Sequence, residues 1–204
     1  MHLVPTQDEV IALLQETGAL RRGHFRYPTG LHSDQYLQIP LAMRYYQHQK
    51  TLSVGLSRLV RANPEIRAII PELSIVCPAT GGLPIAYTLC EALRAHQVYW
   101  AERYRDDEPL RFRQFLEITP GEKVLMVDDI LRSGTRLTEL RQLLESNGAE
   151  VVGLAVLVYQ PTPQTKDLSE LPFYYLAKVE GCCFSEEKEC ILCQQGVPIE
   201  EVWV

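Results

Sequence analysis

The sequence predicts an α/β fold built on a doubly wound, mostly parallel sheet, and three observations carry that expectation. Short uninterrupted apolar runs at Ser74–Cys77, Val98–Ala101, Val124–Val127 and Glu150–Tyr159 have the length of strands buried on both faces. Apolar residues at helical spacing follow the first and third runs, ending near His96 and Glu145. Small, glycine-bearing turns join strand to helix in both cases. Strands alternating with helices imply right-handed crossovers, with any ligand bound at the carboxyl ends of the strands. A chain of 204 residues suits one domain, of which about 41–160 carries the alternation. The flanks, about 1–40 and 161–204, do not share it.

Taken in order, Thr6 and Glu9 form a capping box, and Val10, Ile11, Leu13 and Leu14 give an apolar face, so a first helix spans about Gln7–Thr17 before Gly18. Gly23–Gln38, GHFRYPTGLHSDQYLQ, reads as a structured turn leading into a strand at Tyr36–Ile39. His48–Ala62 is helical through Leu52, Leu56 and Leu59, and Asn63-Pro64 stops it. Ser74–Cys77 runs into Ala79-Thr80-Gly81-Gly82 and a helix, a turn that offers backbone amides to an anion. The polar stretch Tyr104–Gln114 holds Arg105, Arg111 and Arg113 against Asp106, Asp107 and Glu108, so its charges nearly cancel. Pro120-Gly121 turns the chain into Lys123–Glu139, KVLMVDDILRSGTRLTE, around which the chain is organised.

In that stretch an apolar strand delivers two carboxylates, Asp128 and Asp129, followed by Arg132, Ser133, Gly134, Thr135 and Arg136 and then a helix. Amides, hydroxyls and a helix N-terminus together suit a phosphate monoester, and two adjacent carboxylates can accept hydrogen bonds from vicinal sugar hydroxyls. Neither the P-loop spacing nor Gly-x-Gly-x-x-Gly occurs.

A net charge of −6 argues against broad attraction to nucleic acid or anionic lipid. No apolar run approaches eighteen residues, and Met1–Val10 lacks the pattern of a secretory leader, so a cytoplasmic, reduced protein is expected. Cys190-x-x-Cys193 is a competent zinc half-site that Cys182 and Cys183 could complete. Adjacent cysteines seldom ligate one metal comfortably, so the tail is read as architectural and no metal-ligating residue is assigned. None of the five histidines stands in a ligand pattern, and each is expected at the surface or in a loop.

The acidic pair and its phosphate turn resemble the phosphoribosyl pyrophosphate (PRPP) motif of type I phosphoribosyltransferases. Phe25-x-x-x-Thr29-Gly30-x-x-Ser33-x-x-Tyr36 resembles the base-binding loop of the orotate branch, and Ala79–Gly82 resembles the family's pyrophosphate loop. The C-x-x-C-x-x-G-x-P tail is similar to that of some orotate-type enzymes. The resemblance implies a homodimer that moves ribose 5-phosphate from PRPP, carried with Mg²⁺, to a nucleobase, most like orotate. It implies that Asp128 and Asp129 act on the ribose and that residues 132–136, Ala79–Gly82, Arg103, Arg111 and Arg113 hold the PRPP phosphates. Phe25, Thr29, Gly30 and Arg132 would meet the base, with the flanking segments forming a small hood over it. The usual base contacts of the orotate branch are replaced here by Arg132 and by Tyr159-Gln160. Transfer to another base, and a non-catalytic PRPP or nucleotide sensor, therefore stay open as alternatives.

Overall fold

The computed structural model describes residues 4–105, 107–113 and 116–202. Its main sheet has six strands in the order β5-β4-β3-β6-β7-β8. Helix α1 (Gln7–Glu16) starts at the expected capping box on Thr6 and Glu9. The hairpin β1 (Leu20–Arg26) and β2 (His32–Leu37) follows, then the short α2 (Pro40–Met43), α3 (Tyr46–Ala62) and α4 (Pro64–Ile69). The winding proper runs β3 (Ser74–Pro78), α5 (Leu83–Leu93), β4 (Gln97–Glu102), the two-residue β5 (Arg111–Phe112), β6 (Lys123–Leu131), α6 (Thr135–Ser146), β7 (Glu150–Tyr159) and β8 (Phe173–Lys178). The tail adds β9 (Cys183–Phe184), α7 (Ile191–Gln194) and β10 (Glu200–Glu201).

All neighbouring pairs of the main sheet are parallel except β4–β5. Successive residues of each central strand enter different cores, which is why these strands read as continuous apolar runs. Ile75, Cys77, Leu125, Val127, Ala155 and Leu157 pack with α1, α3 and α5 on one face. Val76, Val124, Met126, Leu154 and Val156 pack with Leu137, Leu140 and Leu144 of α6 on the other.

A second, four-stranded sheet, β10-β1-β2-β9, forms the hood. Its edges come from the tail, with β9 added to β2 and β10 to β1. Two expectations need correction. The hood hairpin is longer than the strand read at Tyr36–Ile39, because charged β1, LRRGHFR, hides its strand character from an apolar count. Residues 161–204 are not all hood, since β8 joins the main sheet, where Phe173 meets Tyr159 edge-on and Tyr175 lies tilted against it, with ring centroids 5.2 and 5.5 Å away.

Candidate active site

The direction of winding across the sheet reverses between the parallel neighbours β3 and β6: β3 winds through α5 to β4 on one side, and β6 through α6 to β7 on the other. Such a switch point leaves a crevice at the strand ends. Here β3 last pairs with β6 at Val76–Met126, whereas β6 continues beside β7 to Leu131. Asp128 and Asp129 therefore stand beside the space that β3 vacates. The turn 79–82 closes over them, with the Ala79–Thr80 peptide in the cis form.

The two glycines permit this close approach. A Cβ on Gly81 would sit 3.0 Å from Oδ2 of Asp129. One on Gly82 would lie 3.0 Å from Oδ1 of Asp128 and 3.1 Å from the carbonyl oxygen of Pro78. Asp128 is only 9% exposed. Burial, then the charge of Asp129, holds its carboxyl well above the usual carboxylate range. Asp129 is also raised, chiefly by burial, and the charge of Arg136 only partly offsets this for either residue. The Asp129 backbone N–H donates to Oδ1 of Asp128 at 2.9 Å, tying the pair together.

A cavity of about 530 Å³ opens over this pair. Ala79, Thr80, Gly81, Arg103, Asp128 and Asp129 line it, as do all five residues from Arg132 to Arg136. Gly134 adopts φ +74° as N-cap of α6, where a Cβ would meet Leu131 and Lys166 at 3.3 Å. It offers no side chain to cap that helix, and Ser133 Oγ accepts from the Thr135 N–H at 3.3 Å.

Arg103 lines the cavity, but its guanidinium is paired with Glu139 of α6. Glu139 also accepts the Leu110 N–H at 2.6 Å, so this carboxylate ties the loop after β4 to the helix. Arg111 is paired with Glu108 over the Tyr104 ring, and Arg113 Nη2 lies 3.1 Å from Glu102 Oε2. Neither lines the cavity. Asp106 and Gln114 of the same stretch lie outside the described residues.

The base-side residues divide. Phe25 is 1% exposed and packs with Tyr27, Tyr36 and Val202 inside the hood, so its side chain serves packing. Thr29 and Gly30 occupy the exposed tip of the hairpin and do not line the cavity. Arg132 does line it. Its Nε donates to Gln160 Oε1 at 2.7 Å, and its guanidinium lies 4.9 Å from the centroid of the Tyr27 ring. Gln160 is 1% exposed. Gln160, which replaces a usual base contact of the orotate branch, is thus the side chain that orients Arg132. Tyr27 lies outside the base-loop pattern, and an aromatic two residues after Phe25 is its one signal in the sequence.

The expectation for the histidines is overturned for two of them: His24 and His32 are buried in the hood, where they meet Cys190 and Cys193. Cys182 is exposed and Cys183 lies against Ser33, so neither joins that group.

The phosphoribosyl transferase domain family matches residues 57–173, which include β3, β4 and β6 and the turns after them that line this cavity. The chain is 33% identical over 191 residues to the orotate phosphoribosyltransferase of Carboxydothermus hydrogenoformans, covering 94% of each chain. It is 31% identical over 193 residues to that of Pelotomaculum thermopropionicum, covering 95% of each. Among solved structures, orotate phosphoribosyltransferase from Aeropyrum pernix superposes with a TM-score of 0.67 at 22% identity, over 83% of this chain and 93% of that one. A phosphoribosyltransferase from Corynebacterium diphtheriae gives 0.61 at 22%, over 84% and 95%. These two likenesses bear on the fold. Among the described residues no helix is long and apolar enough to cross a membrane.

Proposed function

The chain belongs to the phosphoribosyl transferase family, and from that premise we propose that it transfers ribose 5-phosphate from PRPP to orotate, giving orotidine 5′-phosphate and pyrophosphate. The observation that carries the reading is the convergence, at the switch point, of the glycine turn from β3 with the acidic pair and phosphate turn from β6. One ligand with a 5′-phosphate at one end and a 1-pyrophosphate at the other matches two anion turns flanking two carboxylates.

In this reading the amides and hydroxyls of residues 132–136 seat the 5′-phosphate. Asp128 and Asp129 accept the ribose hydroxyls, and their charge favours the positive ring that develops as the C1–O bond breaks. Two buried carboxylates cost stability in the free protein, which suits a site that uses their charge in the transition state better than a sensor. The Ala79–Gly82 turn receives the departing pyrophosphate, and Arg103 assists by exchanging Glu139 for a phosphate oxygen. Arg111 and Arg113 would join only by leaving Glu108 and Glu102. Thr29 and Gly30 would reach the base only if the hairpin tip moves toward the cavity.

The donor set fits a Mg²⁺–PRPP complex, because hard carboxylate oxygens stand beside the glycine turn. When bound, Mg²⁺ would neutralise charge on the pyrophosphate, held by PRPP oxygens and water with Asp128 and Asp129 at hand. The same reading takes the protein to act in the cytoplasm as a homodimer. Exposed Tyr46 and Tyr87 supply the kind of aromatic surface such a contact uses.

The test of the site is thermal. Mg²⁺ with PRPP at about 100 times its Kd should raise the Tm by roughly 5–10 °C through linkage. No shift with PRPP and Mg²⁺ together would remove PRPP from the proposal.

A further inference from the structure

From the hood cluster we infer that His24, His32, Cys190 and Cys193 form a closed, structural zinc site that staples the tail to the β1–β2 hairpin. This goes beyond the transferase reading and does not depend on it.

The four ligand atoms lie within 4.8 Å of one another. His24 Nε2 is 3.4 Å from Cys190 Sγ, 3.5 Å from Cys193 Sγ and 2.9 Å from His32 Nδ1. Cys193 Sγ is 3.4 Å from His32 Nδ1. A tetrahedral ion with Zn–S of roughly 2.3 Å and Zn–N of roughly 2.0 Å sets S and N about 3.5 Å apart and the two nitrogens about 3.3 Å apart. The three nitrogen–sulfur distances of 3.4, 3.5 and 3.4 Å match that spacing, and binding would need the two rings to part slightly from 2.9 Å.

The surroundings fit a ligand role. His24 Nδ1 lies 2.8 Å from the Val197 carbonyl oxygen, which can only accept, so the proton belongs on Nδ1 and Nε2 presents its lone pair to the cluster. The register of β1 against β2 shifts between Arg22 and Phe25, and within that irregularity His24 and Phe25 are both buried although consecutive. A bulge of this kind re-aims a side chain, here from solvent to the cysteines. His24 and His32 are each 2% exposed and Cys190 is fully buried, so four protein ligands close the site and leave no position for substrate. Two neutral imidazoles and two thiolates around Zn²⁺ give no net charge, which suits burial.

The fold also has use for such a link. β9 and β10 make two pairings each with the hairpin, and among the described residues the hood's own cluster of buried apolar residues is Phe25, Tyr27 and Val202, since Leu20 and Leu37 pack into the main core. So small a core rarely holds a segment unaided, and a metal is one common remedy. Tyr27, which lies against the Arg132 guanidinium, directly follows β1, the strand that carries His24.

The full chain, purified without chelator from zinc-supplemented medium, should carry about one zinc ion per chain by elemental analysis. Cys193→Ser should lose most of it, whereas Cys182→Ser and Cys183→Ser should keep it. Stripping with a chelator should lower the Tm, and zinc should restore it. Cobalt added to stripped protein should give the visible bands of a tetrahedral ion together with thiolate charge-transfer absorption. Folded wild type without zinc and without the cobalt bands overturns the proposal. Zinc retained by Cys193→Ser, or lost from Cys182→Ser, overturns the ligand set.

Discussion

Asp129→Asn is expected to lower turnover by at least about 10²-fold, the scale for removing one preorganised electrostatic contact in a transition state. The amide fills the same space but brings no charge to the developing cation. The fold should not suffer. Burial holds both carboxyls above the ordinary range, so over that interval the folded protein keeps protons that the unfolded chain has released. Stability therefore falls as pH rises from the unfolded pKa through the folded one, so ionising the buried pair is a net cost. Removing one charge should leave the Tm at neutral pH equal to or above that of the wild type. The same shift sets a pH profile: activity should decline on acidification at a higher pH than an ordinary aspartate would dictate, because a protonated member no longer supplies charge. Wild-type turnover in Asp129→Asn would refute the role of the pair.

Arg132→Thr should reduce kcat/KM for orotate by roughly 30- to 4,000-fold, which corresponds to about 2–5 kcal/mol for stranding a buried charge. Orotate brings a carboxylate that a closed site must pair with a cation. Gln160 carries no charge, yet its carbonyl oxygen fixes Nε of Arg132 at 2.7 Å while Tyr27 lies along the guanidinium. A guanidinium so held is suited to a bidentate grip on a carboxylate. Gln160→Leu should reproduce part of the loss, mostly in KM, because the arginine keeps its charge but not its orientation. Unchanged or improved orotate use by Arg132→Thr would mean that the carboxylate is met elsewhere.

The central winding was legible because its strands are buried on both faces and its turns carry glycine where a Cβ would strike Asp128 and Asp129. Local chemistry and the final fold agree there, so reading the chain in order sufficed. The hood was harder to read. Its strands are short or charged, and its pairing joins residues of opposite chain ends, Phe25 with Glu200 and His32 with Phe184. The cysteine half of the cluster showed in the spacing of Cys190 and Cys193. The histidine half did not, because His24 reaches the cluster through a bulge and both rings meet the cysteines only once the tail has folded back. The engagement of Arg103 with Glu139 was equally hidden, since it depends on how α6 packs beside the loop after β4.

The most direct test of the transferase account is pyrophosphate release from PRPP by the wild-type protein with Mg²⁺, measured against orotate and a panel of other bases. The account predicts release with orotate, matched mole for mole by orotidine 5′-phosphate and absent without base. PRPP that binds and raises the Tm, yet yields no pyrophosphate with orotate or any other base, would contradict it.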